Sequence, residues 1–269
     1  MKLKLLIVMA GFFQICGCHT QVFAQSPYKL SWPGEGIIFG TALATGIIGE
    51  ALILNMDPLT IEQLNAASRE DVNAFDRPAT YNYSETAQTV SDVGVLVCST
   101  LPLTLFLSQR VRSDFVTFGV MYLQSMGFAA ALPQVSKGSF KRNRPFVYNE
   151  NVPLEKKGSV QARLAFYSGH TTHAFALAVF FATTYSDYFS DSKLKPFVWG
   201  GSLVMASVVG YARIAAGKHY RTDVLVGAAV GSAIGYFIPK LHRRKTDRGF
   251  SAFPVYGERQ IQLSLNFTF

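Results

Sequence analysis

The residues able to do chemistry stand in three clusters. Lys137 is followed, after six residues, by Arg144-Pro145; Ser168, Gly169 and His170 are contiguous; Arg213 precedes His219 by five intervening residues, and Asp223 follows after three more. Lys137, Arg144 and Arg213 are cations in a chain of which only 16% is charged. Unpaired cations beside apolar sequence are expensive, so their convergence on an anion is expected. Arginine offers a planar fork of donors that matches phosphate oxygens, and lysine adds a point charge. Pro145 pushes Arg144 out of helical geometry, which suits a loop carrying a ligand contact. Ser168 and Gly169 precede a helix start, where free backbone N–H groups bind anions. Together these residues describe a phosphate cradle.

His219 and Asp223 are four apart, so on one helical turn the carboxylate reaches the imidazole. Such a partner fixes the protonated ring nitrogen and leaves the other free as a nucleophile. His170 is expected opposite, donating a proton to the departing alkoxide. The chemistry implied is in-line displacement at phosphorus through a phosphohistidine, which water then hydrolyses, while the cations stabilise the spreading negative charge. No metal ion or other cofactor is called for. His173 reads as a packing residue, and Lys141 and Arg142 read as solvated loop charges.

These clusters fall at the ends of apolar stretches, of which six follow the first 24 residues: roughly 35–54, 90–108, 114–134, 171–187, 197–212 and 223–240. All are rich in Ala, Val, Leu, Ile, Phe and Gly, with helical rather than alternating character. Some sit at the short end of the roughly 17–25 residues that span a bilayer, so membrane helices are expected, with a compact exported bundle as the alternative. Gly227, Gly231 and Gly235 form a stripe that lets another helix backbone approach. Between the first two stretches, Thr60 with Gln63 predicts a capped helix start, and 68–77 reads as solvated surface. The last ten residues alternate strictly, a strand pattern that predicts a short C-terminal β-hairpin.

Lys2, Lys4, the apolar run 5–13 and Val22-Phe23-Ala24 read as a secretory signal. Cys18 offers a lipoprotein alternative, and an uncleaved N-terminal anchor is a third. Cleavage after Ala24 would lower the net charge from +8 to +6 by removing two lysines and no acids. It would leave Cys98 as the one cysteine, a core residue with no disulfide to make. The positive excess suits an anionic substrate or membrane surface. The cations do not interleave with aromatics, so no nucleic-acid partner is expected. Arg110, Arg112, Lys193, Lys195 and the cluster from Lys240 to Lys245 place those loops in the cytoplasm and the site on the periplasmic side. A cleaved signal followed by six full spans conflicts with that orientation by parity.

The three clusters, with Tyr167 ahead of Ser168, resemble the signature motifs of the type 2 phosphatidic acid phosphatase and vanadium haloperoxidase superfamily, over roughly residues 90–245. The resemblance implies an all-α fold, a helical bundle with the active site in loops at one end. It implies His219 as nucleophile, His170 as acid and Asp223 as the partner that orients His219, with Lys137, Arg144, Ser168, Gly169 and Arg213 holding phosphate. Two positions depart from the pattern: Tyr167 stands where proline is common, and Ala212 where serine is. The domain reading is a signal or anchor over 1–24, an N-terminal helical region over 25–89, a phosphatase core over 90–245, and a basic linker and β tail over 246–269. The implied activity is metal-independent hydrolysis of a lipid phosphate monoester or pyrophosphate at a bacterial inner membrane. The alternatives are a soluble periplasmic acid phosphatase acting on a small phosphate ester, or a vanadate-dependent haloperoxidase.

Overall fold

The computed structural model describes residues 26–244 and two segments of the tail, 250–256 and 261–267. Each of the six apolar stretches forms a helix: α1 (Trp32–Leu54), α2 (Glu85–Thr100, continued as a 3-10 helix over Leu101–Leu107), α3 (Phe115–Phe140), α4 (Gly169–Tyr188), α5 (Lys195–Ala215) and α6 (Arg221–His242). The signal expected over 1–24 lies outside the described residues.

Local chemistry sets the helix ends. The Ser84 hydroxyl accepts from Ala87 N–H at the start of α2, and Ser168 does the same for Thr171 at the start of α4. Pro33 and Pro196 stand in the first turns of α1 and α5, where a missing N–H costs nothing. Pro102 turns α2 into its 3-10 continuation. Lys141 ends α3 in the left-handed conformation at φ 48°. The predicted start at Thr60 is present, with Gln63 N–H and the Thr60 hydroxyl 3.2 Å apart and the reciprocal bond at 3.0 Å.

Small residues fix the packing and the direction of each helix. Ala42, Gly46, Gly49 and Leu52 of α1 meet Gly127, Ala131, Gln134 and Gly138 of α3 in the same order, so the two run parallel. The glycine stripe of α6 lies along α4: a Cβ at Gly227, Gly231 or Gly235 would collide with the carbonyls of Ser168, Thr172 or Ala176. Gly94 of α2 meets Val209 of α5 while Ser91 meets Arg213, so these two run opposite ways. The ends of α1, α3 and α5 and the starts of α2, α4 and α6 therefore share one end of the bundle.

Among the described residues, five helices (α1, α2 with its extension, α3, α5 and α6) are long and apolar enough to cross a membrane. Their outward side chains agree: Ile37, Leu43, Ile47, Val204 and Val208 are exposed. Helix α4, which carries the stretch 171–187, is not among the five. It packs against α2, α3, α5 and α6 and is buried along much of its length, so its neighbours shield Thr171, Thr172, Thr183 and Thr184 from lipid. Cys98 is fully buried, as expected.

There is no sheet between residues 26 and 244, only an isolated bridge between Tyr28 and Arg243. Beyond it the backbone of Phe250–Tyr256 and Ile261–Phe267 is traced as two antiparallel strands. The C-terminal β-hairpin remains a proposal for the tail.

Candidate active site

All eight candidate residues lie at the shared end of the bundle. Lys137 comes from the last turn of α3, Arg144 from the loop after it, Ser168 from the N-cap of α4, and Gly169 and His170 from its first turn. Arg213 is in the last turn of α5, His219 in the short link to α6, and Asp223 in the first turn of α6. That link is tightly built. Gly217 has φ +68°, and a Cβ there would strike the Asn82 carbonyl, so the turn before His219 requires glycine. The Gly217 carbonyl accepts from Phe146 N–H at 2.9 Å, tying the link to the Arg144 loop.

His219 is almost wholly buried. Its Nδ1 is 2.7 Å from the Ala165 carbonyl, which only accepts, so Nδ1 carries the proton and Nε2 is the free nitrogen. The nearest Asp223 oxygen stands 3.6 Å from Nδ1, beyond a good hydrogen bond. Asp223 accepts instead from Tyr220 N–H at 2.8 Å and from Arg142 at 2.6 Å. It therefore shapes the turn that carries His219, while the backbone of Ala165 fixes the tautomer. Burial, then the charges of Arg144, Arg213 and Lys137, hold the His219 pKa well below the ordinary histidine value. A neutral imidazole with one free lone pair is the form a nucleophile needs.

The cations face this ring. Lys137 Nζ is 3.2 Å from where a Gly169 Cβ would lie, so a side chain at 169 would crowd the ammonium. Arg144 and Arg213 are buried, and Nε of each lacks a hydrogen-bond partner among the described residues. Burial and the nearby Arg213 lower the Arg144 pKa, the mark of a cation set without a matching acid. Ser168 is fully buried, and its hydroxyl accepts from the Thr171 hydroxyl at 2.8 Å, leaving its own proton to give. Two guanidinium forks, an ammonium, a hydroxyl and a helix start thus gather near His219. The arrangement suits a tetrahedral oxyanion attacked from the imidazole side.

Several neighbours escaped the sequence reading. Asp92 of α2 accepts from His170 Nε2 at 2.8 Å and lies 3.5 Å from Arg213, whose guanidinium also donates to Ser91 at 3.1 Å. An acid inside an apolar stretch was a signal for it. Arg142, read as a solvated loop charge, instead bridges two buried carboxylates, Asp76 at 2.8 Å and Asp223 at 2.6 Å, with its guanidinium over the Tyr220 ring. Asp76, expected on a solvated surface, is fully buried. Burial alone would raise its pKa, but bonds from Thr222 and Arg142 outweigh that and hold it below the usual carboxylate value. Nothing local in sequence announces a pair 66 positions apart. Lys218, beside His219, is also nearly buried.

A model of the PAP2 superfamily matches residues 118–247. Lipid A 4'-phosphatase of Porphyromonas gingivalis is 31% identical over 150 residues, which cover 55% of this chain and 60% of that protein. The match thus spans less than two thirds of the relative's length. Two crystal structures are similar at low identity. One is the transmembrane PAP2 type phosphatidylglycerolphosphate phosphatase from Bacillus subtilis: 20% identity, 78% of this chain and 92% of that one, TM-score 0.44. The other is Aquifex aeolicus LpxE: 24% identity, 61% and 92%, TM-score 0.43.

Proposed function

From the match of residues 118–247 to the PAP2 superfamily model, we propose that this chain is a membrane-embedded phosphatase that hydrolyses phosphorylated lipids through a phosphohistidine at His219. The observation that carries the reading is the buried His219, its Nδ1 tied to the Ala165 carbonyl, its Nε2 free, and the charges of Arg144, Arg213 and Lys137 near enough to lower its pKa. In this mechanism Nε2 attacks phosphorus in line with the leaving oxygen. Lys137, Arg144, Arg213, Ser168 and the Gly169 N–H hold the equatorial oxygens as charge spreads over them. His170 protonates the leaving oxygen and then takes a proton from the water that cleaves the phosphohistidine. Asp92 holds the His170 ring, and Asp223 with Arg142 holds the turn bearing His219.

A lipid substrate is supported by an apolar groove between α2 and α5. It is lined by Val90, Val93, Val97, Val204, Met205 and Val208, and Asp92 and Arg213 lie on the same two helices. The lipid A phosphatase relative agrees with that class. The parallel run of α1 and α3 puts Ser26 at the end of the bundle opposite the site, beside Asp114 and with Arg243 close by. We read that end as cytoplasmic, because Arg110, Arg112, Lys193, Lys195 and Arg243 gather there, and the site as periplasmic at an inner membrane.

The test is phosphate release by detergent-purified protein with excess chelator. Phosphatidate, a lipid A precursor, a polyprenyl diphosphate and a soluble aryl phosphate would be compared for the native chain and His219→Ala. Release that survives chelation, favours the lipids and disappears in the variant is expected. A preference for the aryl phosphate would turn the reading toward a soluble-type acid phosphatase.

A further inference from the structure

Lys218 has no place in the cradle as derived, yet it is only 9% exposed. Its ammonium lies over the Phe146 ring, 5.1 Å from the centroid, with no hydrogen bond or ion pair among the described residues. The backbone places it beside the cradle, since Lys218 N–H donates to the Arg213 carbonyl at 3.1 Å and Phe146 follows Arg144 by two positions. A second lysine stands on the same aromatic cluster. Lys156 Nζ lies 5.0 Å from the centroid of Tyr83, bonds the hydroxyl of that ring at 2.8 Å, and is 3.8 Å from Glu85 at the start of α2. Tyr83 packs against the buried cluster that includes Phe146, so both ammonium groups border the same apolar cluster.

The non-bridging oxygens of a single phosphoryl group are already matched by Lys137, two guanidinium forks and the start of α4. A nearly buried ammonium held beyond them, without an acceptor of its own, fits a second anionic group on the same molecule. Resting on the reading of the site as a lipid phosphatase, we propose that Lys218, with Lys156 beside it, forms a second anion subsite that takes the phosphoryl group adjoining the one transferred. The substrate class this selects is the lipid diphosphate. In the step, the His219 Nε2–phosphorus bond forms and the bridging phosphorus–oxygen bond breaks. The lipid monophosphate departs with its electron pair, takes a proton from His170 and is neutralised by Lys218 and Lys156. Water then releases inorganic phosphate and frees the imidazole.

The experiment compares kcat/KM for a diphosphate and a monophosphate on the same polyprenyl tail, in the native protein and in Lys218→Gln, Lys218→Arg and Lys156→Gln. The expected result is a fall of at least tenfold in the diphosphate-to-monophosphate ratio for Lys218→Gln and a smaller fall for Lys156→Gln. Lys218→Arg should retain most of the ratio. Calorimetric binding of inorganic pyrophosphate against orthophosphate provides an arm that needs no turnover. The native chain should favour pyrophosphate, and Lys218→Gln should lose that preference. If the native protein hydrolyses neither lipid, the phosphatase reading fails, while the binding arm still decides the subsite. A ratio and a pyrophosphate preference unchanged in Lys218→Gln would overturn the proposal. Should that variant fail to fold, Lys156→Gln, on a more exposed side chain, decides it the same way.

Discussion

The two ends of the bundle treat charge in opposite ways. At the end away from the site, buried charges are matched. Glu35 accepts from His242 at 2.8 Å and from Gln124 at 2.7 Å, and Asp187 faces Lys240 at 3.1 Å and the Tyr28 hydroxyl at 2.9 Å. At the site end, Arg144 and Lys218 are buried with no acidic partner among the described residues, and Arg213 reaches Asp92 only at 3.5 Å. Matched charges hold helices in register. Cations left unmatched cost stability, and we read them as the groups that bind the anion in the proposed reaction.

The sharpest way to break this contrast is Arg144→Ala. We expect kcat/KM to fall about a thousandfold, because a donor to the transition-state oxyanion is lost. Thermal stability in detergent should hold or rise, since the variant no longer buries an unmatched cation. A fall in stability of the size seen at the other end would dissolve the distinction. Arg142→Ala probes a tightly paired cluster near the site. Leaving Asp76 and Asp223 without their shared cation should cost about 3 kcal/mol in chemical unfolding and lower activity as the His219 turn loosens. Glu35→Ala, at the opposite end, should cost about 2 kcal/mol while turnover per folded molecule stays within about twofold of native.

Legibility in the sequence followed range. The helices were readable because each is a long apolar run with its own cap or proline, and the Thr60–Gln63 start needed only three residues of context. The three motif clusters were readable because their spacing is local. What lay beyond reach was pairing at a distance: Arg142 with Asp76, Ser91 and Asp92 with Arg213, and the Ala165 carbonyl with His219, which replaces the direct Asp223 contact that the four-residue spacing suggested. The central position of α4 was equally hidden, because burial by neighbouring helices, not hydropathy, lets its Thr residues be where they are.

Two smaller effects sharpen the site side. Asp92→Asn keeps a hydrogen bond to His170 but removes the charge. A tenfold loss in kcat with little change in KM is expected, together with an alkaline limb of the pH profile displaced to lower pH. A loss confined to KM would make Asp92 a binding residue instead. Lys218 gives the smallest effect. Burial first, then Arg144, Lys156 and Arg213, lower its pKa to about 8, with Asp92 opposing. A lysine loses its charge as pH rises through that value, so kcat/KM for a diphosphate should decline by a few-fold above about pH 8. The same profile for a monophosphate should decline less.

The most direct test of the central claim is rapid acid-free quenching of the protein with a lipid substrate labelled in its terminal phosphoryl group, followed by mapping of the label. The account requires a base-stable, acid-labile phosphoryl group on His219 that forms with chelator present and is absent from His219→Ala. A label on another residue, or turnover with no labelled protein under quench times that resolve a single cycle, would contradict it.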